Sequence, residues 1–306
     1  MRIALKVDID TYRGVSDGGE RLARFLNTQK IPASFFVTLG PDVSGWAITR
    51  LLRHRGFLKK MQRTSAVSLY GWRTVLSGTL LPARPVGTSF RGHLREWASR
   101  GFEVSPHGCN HILWHDYAAE WDADQAHREL DRTWEIYQSI FAKAPESFAA
   151  PGWQAGAGSW QAMEPRHLLY HSDSRGSRPY FPQFNGMALK TLEIPTTVST
   201  WDEMLAWDRM EPSQLGHETW KQLDQNRLNV WTIHAEFEGQ RYFSIFKNFI
   251  EHLSSKGVEW VFLPDFARQI LRDRKDIPAW NVEQGRLPGR AGTVTCQRIE
   301  PWTSVS

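Results

Sequence analysis

The chain has 306 residues, 37 Lys plus Arg against 33 Asp plus Glu, and 41% hydrophobic residues. That much apolar material excludes a disordered or collagen-like chain and suits a single α/β domain spanning residues 1–306. Two cysteines, Cys109 and Cys296, exclude a four-cysteine zinc site and call for no oxidising compartment.

The opening MRIALKVDID carries charges at positions 2, 6 and 8, which break the apolar run of a signal peptide. Ile3, Leu5 and Val7 alternate with polar residues, so a strand starts almost at once. Leu22, Phe25 and Leu26 then fall at helical spacing, and a second strand is expected over 33–39 after Pro32.

The next stretch is unusual in charge. Between Val43 and Arg95 there is no acidic residue, while Arg50, Arg53, Arg55, Lys59, Lys60, Arg63, Arg73, Arg84, Arg91 and Arg95 contribute ten positive charges. The whole chain is +4, so the remainder is −6. Such a block attracts an anionic surface, nucleic acid or phospholipid, unless it is only a solvated helix face.

Further strands are expected at 102–105, 147–150, 168–172, 191–195, 229–233 and 258–263, with helices over 121–140 and 242–253. Alternating short strands and helices imply parallel connections and a barrel, with an open doubly wound sheet as the other solution. The Gly- and Pro-containing tail from about 280 holds two strand-like fragments at most. No run of 18 apolar residues predicts a spanning helix, and no P-loop or GxGxxG supports a nucleotide cofactor.

The chemistry-bearing residues fall at strand ends. Asp8 and Asp10 are two apart, so an extended strand presents both carboxylates on one side. Carboxylates so close repel unless a cation or a proton lies between them. His107 and His111 are four apart and can converge on a divalent ion, although His115 repeats the step and spacing alone does not choose between them. Asp10, His107 and His111 together make a two-His, one-carboxylate set with room for water and a substrate oxygen. Asp8 is then the candidate base, and His234, in VWTIHAEFEG, the candidate acid for a departing amine. Asp173, in YHSDSRG, is the carboxylate expected to hold the His234 ring. Cys109 is expected simply to pack.

Together these residues resemble the polysaccharide deacetylase, or NodB-homology, superfamily. Within it the chain is similar to the bacterial deformylases of undecaprenyl-phosphate-linked 4-deoxy-4-formamido-L-arabinose. The stretches that carry the resemblance are VDIDTYRG, ASFFVTLGPD, SLYGW, PHGCNH, YHSDSRG, TWDE, TIHAEFEG and GRAGTVTCQ. The resemblance implies a distorted or incomplete (β/α)7 barrel. It puts Asp8 in the base position, Asp10, His107 and His111 in the metal-ligand positions, and His234 in the acid position. One divalent ion is implied, with zinc, manganese and cobalt all admissible. The wider superfamily often carries an Arg that holds the catalytic Asp where this chain has FAAPGW, and Phe148, Ala149 and Ala150 supply no such charge. Arg175 becomes the candidate for an anionic contact, either Asp8 or a substrate phosphate.

The implied substrate is the lipid-linked formamido sugar, hydrolysed to formate and the amino sugar during lipid A modification, a setting tied to polymyxin resistance. The basic window, interleaved with Phe57, Leu58, Val67, Leu69, Tyr70, Trp72, Val75 and Leu76, would then be an insertion at about 43–95 resting on an anionic bilayer. The expected location is peripheral, on the cytoplasmic face of the inner membrane, with neither nucleic acid nor an obligate protein partner. The rival readings are an N-deacetylase of another glycan or amidosugar and a catalytically silent lipid- or nucleic-acid-binding module on the same fold.

Overall fold

The computed structural model describes residues 1–46, 74, 76–184, 186–272 and 276–298. Its strands in chain order are β1 (Arg2–Ile9), β2 (Ala33–Val37), β3 (Pro41–Asp42), β4 (Arg84–Pro85), β5 (Glu103–Pro106), β6 (Ser147–Phe148) and β7 (Tyr170–His171), followed by β8 (Phe181–Phe184), β9 (Met187–Ala188), β10 (Leu192–Glu193), β11 (Leu228–His234), β12 (Glu259–Trp260), β13 (Ala279–Gly285) and β14 (Val294–Gln297). One parallel sheet runs β11-β1-β2-β5, with β12 also on β1, and a second runs β10-β7-β6. Ala149 N–H donates to Pro106 O at 3.3 Å and Thr197 N–H to Val230 O at 3.0 Å, so single backbone bonds link both edges of the smaller sheet to the larger. A third sheet, β14-β13-β8-β9, mixes parallel and antiparallel pairs. The architecture is therefore α/β with mixed sheets.

β1 and β2 are buried almost throughout, as parallel strands covered on both faces must be. Helices Glu20–Gln29 and Phe243–Ser255 cover one side of the larger sheet through Leu22, Leu26, Phe246 and Ile250. Most of the aromatic load is core: Trp97, Trp114, Trp160, Trp201 and Trp231 are fully buried. Trp231 packs against Trp201, Phe246 and Phe249. Burying a side chain of that size contributes about 3 kcal/mol.

Sequence and structure differ in detail. The strands expected over 147–150, 168–172, 191–195 and 258–263 are two residues each, β6, β7, β10 and β12. The helix expected over 121–140 is Ala123–Phe141, started by Asp122, whose carboxylate accepts the Gln125 N–H at 2.7 Å. β8 and β9 were not expected, since Pro182 and Gly186 obscure the pattern. The tail does supply two strands, β13 and β14.

Within the acid-free window, Arg50, Arg53, Arg55, Lys59, Lys60, Arg63 and Arg73 lie outside the described residues, together with Phe57, Leu58, Val67, Leu69, Tyr70, Trp72 and Val75. Of the rest, Arg84 stacks 4.0 Å over Tyr12, and Arg95 donates to Ile140 O. Among the described residues no helix is long and apolar enough to cross a membrane.

Candidate metal-centred active site

The ends of β1, β5 and β11 meet at a cleft of about 330 Å³. Its lining includes Asp8, Asp10, His107, His111, His115, Asp202, His234, Glu236 and Arg290. β1 pairs with β11 in a register that sets Asp8 opposite His234, so the two candidate proton-transfer groups are neighbours across one ladder.

Asp10, His107 and His111 converge as expected: their ligand atoms all lie within 4.8 Å of one another. His107 Nε2 is 3.4 Å and His111 Nε2 3.3 Å from Asp10 Oδ1. His107 Nδ1 lies 2.8 Å from Ala149 O, which can only accept, so the proton sits on Nδ1 and the Nε2 lone pair faces the triad. Gly108, at φ +78°, turns the chain after His107 in the left-handed region that favours glycine. Asn110 caps the helix His111–Tyr117 by accepting Leu113 N–H at 3.0 Å, which fixes His111 in its first turn.

Electrostatics suit the same purpose. Burial, reinforced by the neighbouring imidazoles, holds His107 well below its ordinary value and His111 down to about 3. Both rings are therefore neutral donors at pH 7. Burial pushes Asp10 up to about 6, the attraction of His234 opposing it. Asp10 Oδ1 is buried and has no hydrogen-bond partner among the described residues. A carboxylate oxygen without a donor among the described residues, facing two neutral imidazole nitrogens, fits a divalent cation.

Asp8 is held by a residue the sequence reading passed over. Lys6, fully buried, lies on the same face of β1, its Nζ 3.5 Å from Asp8 Oδ2 and 2.9 Å from Ser172 O. Phe36 and Trp153 flank the ammonium at 5.4 and 5.8 Å. Lys6 thus supplies beside Asp8 the positive charge that FAAPGW lacks. Burial still raises the Asp8 carboxyl above its ordinary value, with Lys6 opposing the rise. Asp8 Oδ1 has no hydrogen-bond partner among the described residues and is available to accept a proton.

Two expectations are corrected. Asp173 does not touch His234. Its Oδ1 accepts Ala150 N–H and its Oδ2 accepts Trp160 Nε1–H, both at 2.7 Å. The carboxylate beside His234 is Asp202, with Oδ1 3.2 Å from Nδ1. Burial alone would lower the His234 imidazolium, but Asp202, with Asp10 and Asp8, holds it well above its ordinary value. Arg175, in turn, reaches neither Asp8 nor open solvent. Its Nη1 lies 2.8 Å from each oxygen of Glu203, its Nη2 donates to Val198 O, and the side chain is buried. A guanidinium committed this way is not available to a substrate phosphate.

His171, Asp173 and Glu193 also bring ligand atoms together. They are fully buried and already bonded: Glu193 pairs with His171 Nδ1 and accepts from Asp173 N–H, Ser174 N–H and the Ser174 hydroxyl. This cluster locks the loop after β7 to β10. Cys109 packs as expected, buried and free. Glu236 accepts from Asp10 N–H, Thr11 N–H and the Thr11 hydroxyl, fastening the turn that carries Asp10.

The sequence profile of the polysaccharide deacetylase family matches residues 2–165. A protein of Shewanella sediminis (strain HAW-EB3) named "Probable 4-deoxy-4-formamido-L-arabinose-phosphoundecaprenol deformylase ArnD" is 32% identical over 97% of this chain and 94% of its own. The chain belongs to the polysaccharide deacetylase family. A second relative of the same name, from Wigglesworthia glossinidia brevipalpis, is 28% identical over 93% of this chain and 98% of its own. The fold is similar to the solved "probable Polysaccharide deacetylase from Pseudomonas aeruginosa PAO1", with a TM-score of 0.61, 15% identity and 89% and 92% of the two chains covered. Family and triad together make this polysaccharide deacetylase homologue a metal-dependent hydrolase, with a divalent-metal site at Asp10, His107 and His111.

Proposed function

We propose that the chain hydrolyses the formamide of undecaprenyl-phosphate-linked 4-deoxy-4-formamido-L-arabinose, releasing formate and the 4-amino sugar lipid in lipid A modification. The observation that carries the chemistry is Asp8 and His234 opposite each other beside the Asp10–His107–His111 triad. The substrate rests on two relatives of that name that match nearly end to end.

A divalent ion held by Asp10, His107 and His111 would supply Lewis acidity toward the amide carbonyl and acidify a water. The chain's own residues do the rest. Asp8 Oδ1 takes the proton of the attacking water while Lys6 holds Oδ2. His234, kept protonated by Asp202, donates to the amide nitrogen as the C–N bond breaks, since an amide anion is a poor leaving group. Trp153, edge-on to His234 at 6.3 Å, walls the cleft.

Two variants report these roles through pH. Asp202→Asn removes the carboxylate that keeps His234 charged, so His234 loses its proton at lower pH. The alkaline limb of the kcat profile should move down by about one pH unit or more. Lys6→Met removes the cation beside Asp8, whose carboxyl then rises further. The acidic limb of kcat/KM should move up, with kcat/KM lowered about 10- to 100-fold. An unshifted limb in either variant would remove that residue from its role.

The same reading treats β11-β1-β2-β5 and β6-β7-β10, with β12 outside the ring, as one distorted seven-strand barrel, supported by the single backbone bonds at both joins. It takes 1–306 as one catalytic domain, with 43–95 as an insertion that meets the cytoplasmic face of the inner membrane. The decisive assay measures formate and acetate from the formamido and acetamido forms of the lipid-linked sugar. Formate release by the metal-loaded protein supports the reading, and acetate release alone would make the chain an N-deacetylase.

A further inference from the structure

One wall of the cleft presents a guanidinium, Arg290, against Trp153. Arg175 and Arg290 share one carboxylate, Glu203: Arg175 Nη1 lies 2.8 Å from both oxygens, while Arg290 Nη1 stands 3.7 Å from Oε1. Glu203 is hydrogen-bonded to Arg175, and Arg290 is the one of the two guanidiniums that lines the cleft, where Asp202 and Asp10 also attract it. Its Nη2 donates to Gly152 O at 2.9 Å, and its guanidinium lies 4.7 Å over Trp153. Of the other carboxylates around the cleft, Asp8 has Lys6, Asp202 has His234, Glu236 accepts from Thr11, Asp116 lies 3.2 Å from His115 Nδ1, and Asp10 faces the two imidazoles of the triad.

His115 converges on the same spot. A Cβ at position 152 would sit 2.3 Å from His115 Cδ2 and 2.9 Å from Arg290 Nη2, and Gly152 has φ +61°. Only glycine lets both side chains close over that backbone.

We propose that Arg290, with His115 beside it, is an anion subsite that takes the phosphate of a sugar-phosphate substrate. The inference rests on the proposed function, which puts an amide and a phosphate on one sugar. A guanidinium offers parallel N–H donors matched to phosphate oxygens, and its position against Trp153 leaves it pre-oriented. The subsite would hold the sugar by the end remote from its amide and so make the phosphate a requirement for turnover.

The test compares kcat/KM for a short-chain prenyl phosphodiester of the amidosugar with that for the methyl glycoside lacking phosphate. Both carry formyl or acetyl groups, so the phosphate preference is read on whichever acyl group is released. Arg290→Gln should cost the phosphodiester about 30-fold more than it costs the glycoside, the scale of a lost charge-assisted pair. His115→Gln, at the more exposed rim, should shift the same ratio by about 3- to 10-fold and serves if Arg290→Gln fails to fold. Equal loss on both substrates would make Arg290 a positioning residue for Glu203 and Gly152 and overturn the subsite. So would a wild-type protein without preference for phosphate. Acetate release in place of formate would instead overturn the deformylase reading while leaving the ratio measurable.

Discussion

Replacing Asp8 by Asn should leave metal binding intact and lower kcat by about 10³-fold or more, near the upper range for loss of a general base. Asn preserves the shape of a buried side chain and can still face Lys6, so the strand should keep its geometry. What it cannot do is accept a proton at the oxygen that Asp8 leaves unpartnered. Asp8 is also outside the triad, so one equivalent of divalent metal should still be retained after dialysis. Wild-type turnover by this variant would remove Asp8 from the base role. Loss of metal along with activity would make Asp8 a ligand instead.

His111→Ala should have the complementary signature. It removes one of three ligands from the first turn of a well-capped helix, and its side chain is 18% exposed, so the packing penalty is smaller than at His107. Activity at stoichiometric metal should fall roughly 10³-fold, and excess metal should restore part of it because two ligands remain. The thermal midpoint of the metal-free variant should stay close to that of the metal-free parent. Full activity with undiminished metal content would exclude His111 from the site.

How much of this was legible in the sequence depends on how local each relationship is. Asp8 and Asp10 share a face because strand side chains alternate, and His107 and His111 sit within one loop and helix start. Those pairs follow from spacing. Lys6 obeys the same alternation as Asp8, and the signal was present in LKVDID, yet a lysine inside an apolar strand gave no reason to expect a fully buried partner.

Asp173 and Asp202 differ in another way. Both follow short strands, and nothing in their order says which loop turns toward β11. Ala150 N–H and Trp160 draw Asp173 into the core, while helix Trp201–Leu205 delivers Asp202 to His234. Arg175 and Arg290 repeat the lesson. The sequence marks both as cations near quoted motifs, but Glu203 claims the first and leaves the second on the cleft wall. Asp202 and Arg290 fall in TWDE and GRAGTVTCQ, stretches that carried the resemblance without a role attached to either residue.

The most direct test of the central claim is X-ray absorption spectroscopy of the protein loaded with one equivalent of zinc or cobalt, for the parent and for His111→Ala. The account predicts two imidazole nitrogens and one protein carboxylate oxygen on the ion, with one imidazole lost in the variant. An ion that fails to bind at one equivalent, or a ligand set unchanged by His111→Ala, would contradict it.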